Sequence, residues 1–231
     1  MADGADEAKP EAEPEDEEVK QSLANSDVCT KYREAAKIVN LALQGLMQLC
    51  APDKTVLELC NFGDQVIIQK CATIFRGKVN GKPIDKGVAF PTCVSVDEWV
   101  CHNSPLASES QPPIAEGDMV KFDLGCYIDG YIATVAHTVI VGKQPSPEEP
   151  LTGTKADVLH AAHIAGEVAL KLIKPGNTNQ QVTRAISKVA EAFGVNCVAG
   201  ALSHQMKRCA RGGGGGGARK RPQPIPSLPF P

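Results

Sequence analysis

The residues whose types and spacing could do chemistry lie mainly in one short stretch. Residues 121–138, KFDLGCYIDGYIATVAHT, are typical of two strands around a turn, with Asp123 on the first strand and Thr134 eleven residues later on the second. If Asp129 and Gly130 form a two-residue turn, Thr134 is a diagonal neighbour of Asp123, whereas a bulge at Gly130 places it nearly opposite. Both arrangements direct the two side chains to the same side of the sheet, where a lone carboxylate is a poor start for a metal site.

The histidines supply few further metal ligands beside Asp123. His102 follows a predicted strand, and His204 lies in LSHQMK near the end of the globular pattern. His160 and His163 are three residues apart on one predicted helix, but a metal pair on a helix needs further ligands, and the sequence places none beside them. A structural interpretation stands beside each functional one, because Asp123 can accept hydrogen bonds at a strand end and a lone histidine can serve packing.

Charge and composition divide the chain into one globular segment and two tails. The 231 residues are 42% hydrophobic, which is enough to bury a substantial core. Residues 1–27 are acidic and contain prolines, and residues 209–231 combine six consecutive glycines with a basic cluster and further prolines. We expect both tails to be disordered and residues 28–208 to fold. The basic cluster Arg219-Lys220-Arg221 is interpreted either as a localisation or phosphate-binding patch or as solvated charge.

Secreted and membrane-spanning proteins carry signals that this sequence lacks. Its N-terminus has neither the basic region nor the apolar run of a secretory signal, and no stretch of about 18 apolar residues could span a bilayer. The nine cysteines are odd in number, are widely scattered and form no C-x-x-C pair. We therefore expect an intracellular protein with reduced thiols and no membrane partner.

Two helices and a strand are predicted to precede the hairpin. Apolar residues recur at helical spacing over 28–50 and again over 55–75, which predicts two helices packed as an antiparallel pair. Residues 76–86 are basic and contain Gly and Pro, so they predict a loop. Residues 87–105 resemble β-structure, with β-branched residues at several positions.

A second helical pair is predicted to follow the hairpin. Thr154 and Asp157 have the spacing of a capping box at the start of one helix, and Thr178 and Gln181 have it at the start of the next. VNCVAG, residues 195–200, then predicts a short strand.

The order of several motifs carries a resemblance to a known family. Along the chain, GVAFPTCVSV, CHNSPL, DMVKFDLG, a hairpin ending in AHT, KADV, KPGN and LSHQMK resemble the methionine aminopeptidase family, the M24 peptidases of the pita-bread fold. The chain is still more similar to the non-catalytic branch of that family, the proliferation-associated proteins. The resemblance covers about residues 28–208 and implies an α/β (α+β) fold that is incomplete in its C-terminal half.

The resemblance also implies which residues a catalytic site would use. In the aminopeptidases, two metal ions are held by an Asp on a strand, a second Asp eleven positions later, a His and two Glu further on. Asp123 matches the first, Thr134 stands at the second position, His204 resembles the third, and the chain ends before either Glu. His102 resembles the histidine that contacts substrate. We interpret these four residues as degenerate remnants and predict no catalytic residue.

Metal chemistry explains why this departure matters. Two divalent ions about 3.5–4 Å apart are held by bridging carboxylates, which offset their repulsion and activate a water. A threonine hydroxyl cannot bridge in that way. Asp123 and His204 therefore form at most a weak remnant, since they lack the ligand count and the negative charge for tight binding. We expect no bound metal and no other cofactor.

Three functions from different classes remain open. The resemblance to proliferation-associated proteins implies a binding protein for RNA, ribosomes or regulatory proteins in growth control and ribosome biogenesis, located in the cytoplasm and the nucleus, including the nucleolus. A metal-dependent methionine aminopeptidase is the second, although it needs carboxylates that the chain does not supply. The third is a truncated product without independent function, because the composition changes abruptly at Cys209, as a different reading frame or a retained intron would cause.

Two further expectations concern partners. The lysines of RGKVNGKPIDK, residues 76–86, together with the basic tail predict binding to nucleic acid or ribosomes that weakens as salt rises. A pita-bread domain joins two related halves in one curved sheet. The resemblance therefore also implies an unpaired sheet edge through which the chain self-associates.

Overall fold

The computed structural model describes residues 21–79, 81–142, 145–201, 206 and 208. The helices in these residues are α1 (Ser26–Leu49), α2 (Val56–Cys71), α3 (Thr154–Leu172) and α4 (Asn179–Ala192). The strands are β1 (Lys78–Val79), β2 (Lys82–Pro83), β3 (Lys86–Val96), β4 (Met119–Ile128) and β5 (Tyr131–Ile140). His204, the basic cluster at 219–221 and most of both predicted tails lie outside the described residues.

The first two helices form the predicted pair, and local side chains define where each begins. The Asn25 side chain accepts a hydrogen bond from the backbone N–H of Asp27 at 3.0 Å, so α1 begins two residues before the predicted boundary. Thr55 and Glu58 form a capping box at the start of α2. The apolar faces of the two helices pack on each other and on the sheet, which confirms the predicted pairing.

A three-stranded antiparallel sheet in the order β3-β4-β5 carries the quoted hairpin. Ile128 pairs with Tyr131, so Asp129 and Gly130 form a two-residue turn. Both turn residues have positive φ, 54° and 79°, as a type I′ hairpin turn requires. The two-residue alternative is therefore correct, and Gly130 is not part of a bulge.

The sheet has one covered face and one open face. Alternate β4 residues on the covered face are buried against α1 and α2, namely Val120, Phe122, Leu124, Cys126 and Ile128. Between them, Asp123 and Gly125 point to the open face, as do their neighbours Ala136 and Thr134 on β5. The hydrophobic core therefore lies between the sheet and the first two helices, and the candidate residues lie on the other side.

Helices α3 and α4 pack on each other after the hairpin. Thr178 and Gln181 form the predicted capping box of α4. The predicted cap at Thr154 is wrong, because Thr154 is already the first helical residue and Gly153, at a φ of 75°, occupies the cap position without a side-chain hydrogen bond.

Two further predictions of local structure are corrected. Residues 195–200 form no strand: in the described part of the chain no strand pairs with them, and Gly200 has a φ of 80°, which is not strand geometry. The basic segment predicted as a loop at 76–86 contains a short hairpin instead, in which Val79 of β1 pairs with Lys82 of β2.

Candidate functional site

Asp123 lies in the centre of the open face. It pairs with Cys93 of β3 and with Ala136 of β5, so backbone ladders hold it on both sides. The carboxyl group is half-buried, and this desolvation raises the pKa of Asp123 above its ordinary value of 3.8, while nearby His102 acts in the opposite direction. Burial therefore works against a carboxylate charge at the position where a metal would need one.

Thr134 lies where the two-residue turn places it. It pairs with Gly125, two residues along β4 from Asp123, so it is the predicted diagonal neighbour on the same face. Thr134 is exposed and offers a neutral hydroxyl. Gly125 has no side chain to act as a ligand, and there is no room for one, because a Cβ there would lie 2.6 Å from the ring of Phe90. Among the residues that the structure describes, this part of the open face therefore offers one carboxyl group, that of Asp123.

His102 is brought to this face by the loop after β3. It is exposed and has a φ of 63°, in the left-handed region that non-glycine residues rarely adopt. The next residue, Asn103, is buried and fixes the loop: its side-chain amide donates to the carbonyl of Val94 at 2.8 Å, and its own carbonyl accepts from the Val94 N–H at 2.8 Å. The structure thus brings His102 near Asp123, and Asn103 is the positioning residue that the sequence analysis missed.

A second carboxylate, that of Asp64 on α2, is already hydrogen-bonded to β3. Asp64 of α2 accepts hydrogen bonds from the backbone N–H of Thr92 at 2.9 Å and from the Thr92 hydroxyl at 2.7 Å. The thiol of Cys93, which pairs with Asp123, has its pKa raised to about 11 by burial and, to a lesser degree, by the charges of Asp123 and Asp64. Cys93 is therefore a protonated thiol near neutral pH, not a thiolate ligand.

These donors do not fit the two-metal centre that the family resemblance implies. Within the described residues, no three His, Cys, Asp or Glu side chains are grouped so that they could hold a metal ion. His204, the expected third ligand, lies outside those residues. Asp123 and Thr134 together offer one carboxyl group and one neutral hydroxyl, which is too little charge for two divalent ions.

A basic surface lies at the far end of α2. The hairpin of β1 and β2 exposes Arg76, Lys78 and Lys82. Its base is fixed by Lys86, whose ammonium group donates to the carbonyls of Ile84 at 3.2 Å and Phe75 at 3.4 Å. The three exposed cations therefore lie on or directly before an anchored hairpin, and cations of this kind contact phosphate groups. We call Arg76, Lys78 and Lys82 the basic hairpin.

Comparison with known proteins identifies the family. The sequence profile of Metallopeptidase family M24 matches residues 30–218. The chain belongs to metallopeptidase family M24. Membership in the M24 family confirms the predicted resemblance and the predicted mixed α/β fold.

The similar M24-type proteins include curated relatives and a solved structure. The chain is 46% identical over 197 residues to ERBB-3 binding protein 1 of Arabidopsis thaliana. The aligned region covers 85% of this chain and 48% of the relative. It is 43% identical over 188 residues to proliferation-associated protein A of Dictyostelium discoideum. That match covers 81% of this chain and 47% of the relative. The chain thus spans about half the length of the curated relatives it matches. The structure of a thermophilic Arx1 has a TM-score of 0.62 at 28% identity, over 74% of this chain and 50% of that one.

Among the described residues, no helix is both long enough and apolar enough to cross a bilayer.

Proposed function

We propose that this M24-family chain is a non-catalytic binding protein whose ligand is RNA, in particular ribosomal RNA, and which acts in growth control and ribosome biogenesis. The observation that carries the proposal is the pairing of Thr134 with Gly125 beside the half-buried Asp123. Hydrolysis by two metal ions needs bridging carboxylates at such a position, whereas Thr134 offers a hydroxyl and Gly125 has only a hydrogen atom as its side chain. His102 and Asp123 keep their places as remnants of the family's site.

The basic hairpin supports RNA as the ligand. Lys78 and Lys82 project from the hairpin on exposed stems, and each ammonium group that contacts a phosphate releases a condensed counterion. Binding of this kind recognises the backbone and is sequence-tolerant, so it suits a large folded RNA. The similarity to proliferation-associated protein A supports the growth-control role.

Fluorescence anisotropy with a labelled ribosomal RNA stem-loop tests the proposal. We expect the affinity to fall steeply with salt, and the double variant Lys78→Glu, Lys82→Glu to lower the slope of log affinity against log salt by roughly 0.7–0.9 for each lost contact. The matched control is Lys171→Glu, Lys174→Glu, which reverses two exposed charges at the end of α3 and should leave the slope unchanged. Equal binding by both double variants would contradict the assignment to the basic hairpin.

A peptide assay tests the non-catalytic part separately. The chain is incubated with a Met-Ala-Ser peptide and manganese, cobalt or zinc, and released methionine is measured by mass spectrometry. We expect no turnover above the metal-only control. Methionine release that disappears in Asp123→Asn would show a working peptidase and contradict the proposal.

A regulatory protein is a second candidate partner. The Arabidopsis relative is named for binding ErbB-3, and the end of α3 exposes Leu170, with Ile173 three residues further along the chain. Exposed apolar side chains on one helix are typical of a protein-binding surface. Biolayer interferometry with an immobilised ErbB-3 intracellular segment tests this: Leu170→Asp should weaken binding at least tenfold, and no binding by the wild-type chain would reject this partner.

The proposed location follows from the proposed ligand. A binding protein for ribosomal RNA in ribosome biogenesis works in the nucleolus and the cytoplasm. A fluorescent fusion of the chain should label both compartments, and exclusion from nucleoli would contradict this location.

A further inference from the structure

The buried interface between α2 and the sheet contains two thiols in contact. The sulfur atoms of Cys71 and Cys126 lie 3.6 Å apart, although 55 positions separate the two residues in the chain. Cys71 is 3% exposed and Cys126 is fully buried. Neither residue belongs to the open face, so the site described above does not account for this contact.

We propose that Cys71 and Cys126 are a redox-active pair that a hydroperoxide converts to an intramolecular disulfide. The bond would tie the C-terminal end of α2 to the central strand of the sheet, since Cys71 is the last residue of α2 and Cys126 lies within β4. The product is a covalent cross-link through the core, next to the start of the segment that leads to the basic hairpin.

The geometry of the pair favours bond formation. A disulfide has sulfur atoms about 2.05 Å apart, so the two must approach by roughly 1.5 Å. Cys126 is held by ladders on both sides, opposite Val88 of β3 and Ala133 of β5. Cys71 ends its helix, and the residues after it, Ala72 and Thr73, are exposed. The helix end therefore supplies the movement, because helix termini open locally at low cost.

The two thiols differ in a way that assigns their roles. The contact with the Cys126 thiol lowers the pKa of Cys71, burial opposes this, and the charge of Lys86 lowers it further. Lys86 is held nearby by its hydrogen bonds to Ile84 and Phe75. The pKa of Cys126 is raised, first by its hydrogen bond to Cys71 and then by burial. Because Cys71 lies at the helix end that can open and Cys126 is held within β4, Cys71 is the attacking thiolate and Cys126 is the thiol that resolves the intermediate.

The reaction balances with a peroxide as the oxidant. Cys71 loses its proton, and its sulfur attacks one oxygen of hydrogen peroxide, which breaks the O–O bond. The sulfur becomes a sulfenic acid, and the departing hydroxide takes up the proton as water. The sulfur of Cys126 then displaces the hydroxyl of the sulfenic acid, which leaves with the Cys126 proton as a second water. Two electrons pass from the sulfurs to the peroxide, and one S–S bond forms.

Peptide mapping of the folded 231-residue chain tests the proposal. The chain is treated with hydrogen peroxide, free thiols are alkylated, and the protein is digested without reduction for mass spectrometry. We expect a linked pair of peptides containing Cys71 and Cys126, lighter than the two free-thiol peptides by two hydrogen atoms and separated by dithiothreitol. Cys71→Ser and Cys126→Ser should each abolish it, whereas Cys101→Ser, at an exposed position, should leave it unchanged.

Thermal melting provides an independent readout. The oxidised chain should melt roughly 5–10 °C above the reduced chain, because the cross-link closes a long loop, and dithiothreitol should reverse the shift. The shift should be absent in Cys126→Ala. The proposal is overturned if Cys71 and Cys126 both remain alkylated after peroxide has oxidised the exposed Cys101 and Cys197, or if their cross-link forms only in urea-unfolded protein.

Discussion

Lys31 of α1 donates a hydrogen bond of 2.7 Å to the carboxylate of Asp129 in the turn between β4 and β5. Arg208 donates to the other carboxylate oxygen at 2.6 Å, and the guanidinium lies 5.6 Å from the ring centroid of Tyr131. Lys31 is 7% exposed, so its charge depends on these acidic partners, which include Asp27 at 2.6 Å. One turn residue therefore connects the first helix, the hairpin and the segment near position 208.

This network makes acid stability depend on Asp129. Burial raises the pKa of Asp129, but its hydrogen bonds to Lys31 and Arg208 outweigh this and hold the pKa below 3.8. A carboxyl group with a lowered folded pKa stabilises the protein above its unfolded pKa, and this contribution is lost as pH falls through the folded pKa. We expect Asp129→Asn to lower the free energy of unfolding by about 1–3 kcal/mol at pH 7, with the difference shrinking below about pH 4.

Urea denaturation followed by circular dichroism between pH 2 and pH 7 measures this difference. Glu167→Gln removes an exposed carboxylate from α3 and serves as the matched control. A pH-independent gap between wild type and Asp129→Asn would show that the loss comes from packing and not from charge.

Close packing at Gly63 gives a second prediction. A Cβ at Gly63 would lie 2.7 Å from the hydroxyl oxygen and 2.8 Å from the methyl carbon of Thr92, which is buried and bonded to Asp64. Gly63→Ala should therefore cost about 1–3 kcal/mol, because α2 must move away from β3. The same change at Gly166, an α3 position with open space around it, should be neutral or stabilising by up to about 1 kcal/mol. Equal chemical denaturation midpoints for the two variants would contradict the packing argument.

The edge of the sheet gives a third prediction. Within the described residues, β5 pairs only with β4, so its other edge presents unpaired backbone groups. We expect the chain to self-associate through this edge. Ala136→Lys, at an exposed β5 position, should shift the equilibrium towards the monomer. Light scattering after size-exclusion chromatography measures the mass, with Ala162→Lys on α3 as the control. A monomeric wild-type chain at high concentration would reject the prediction.

Local signals explain which parts of the fold could be predicted from the sequence. The turn at Asp129-Gly130 and the cap at Thr178 depend on residues adjacent in the chain, and both predictions are confirmed. The cap at Thr154 was predicted wrongly because the backbone of Gly153 takes that position instead. The strand predicted at 195–200 is absent because a strand needs a neighbour, which a local pattern cannot supply.

The candidate site was predictable only in part for the same reason. The register of β4 and β5 follows from the turn, so the relation of Asp123 to Thr134 could be predicted. The bond between Asp64 and Thr92 joins residues 28 positions apart, and the contact of Cys71 with Cys126 spans 55. Contacts of this kind depend on how α2 packs on the sheet, which periodicity alone does not determine.

Isothermal titration calorimetry with manganese and cobalt tests the central claim, that this M24-family chain lacks a two-metal centre. The ions are titrated into the purified 231-residue chain at neutral pH, with a two-metal aminopeptidase as the positive control. Because Thr134 and Gly125 supply no carboxylate beside Asp123, we predict no stoichiometric binding of either ion at neutral pH. A saturable isotherm with two ions bound per chain, lost in Asp123→Asn, would contradict the account.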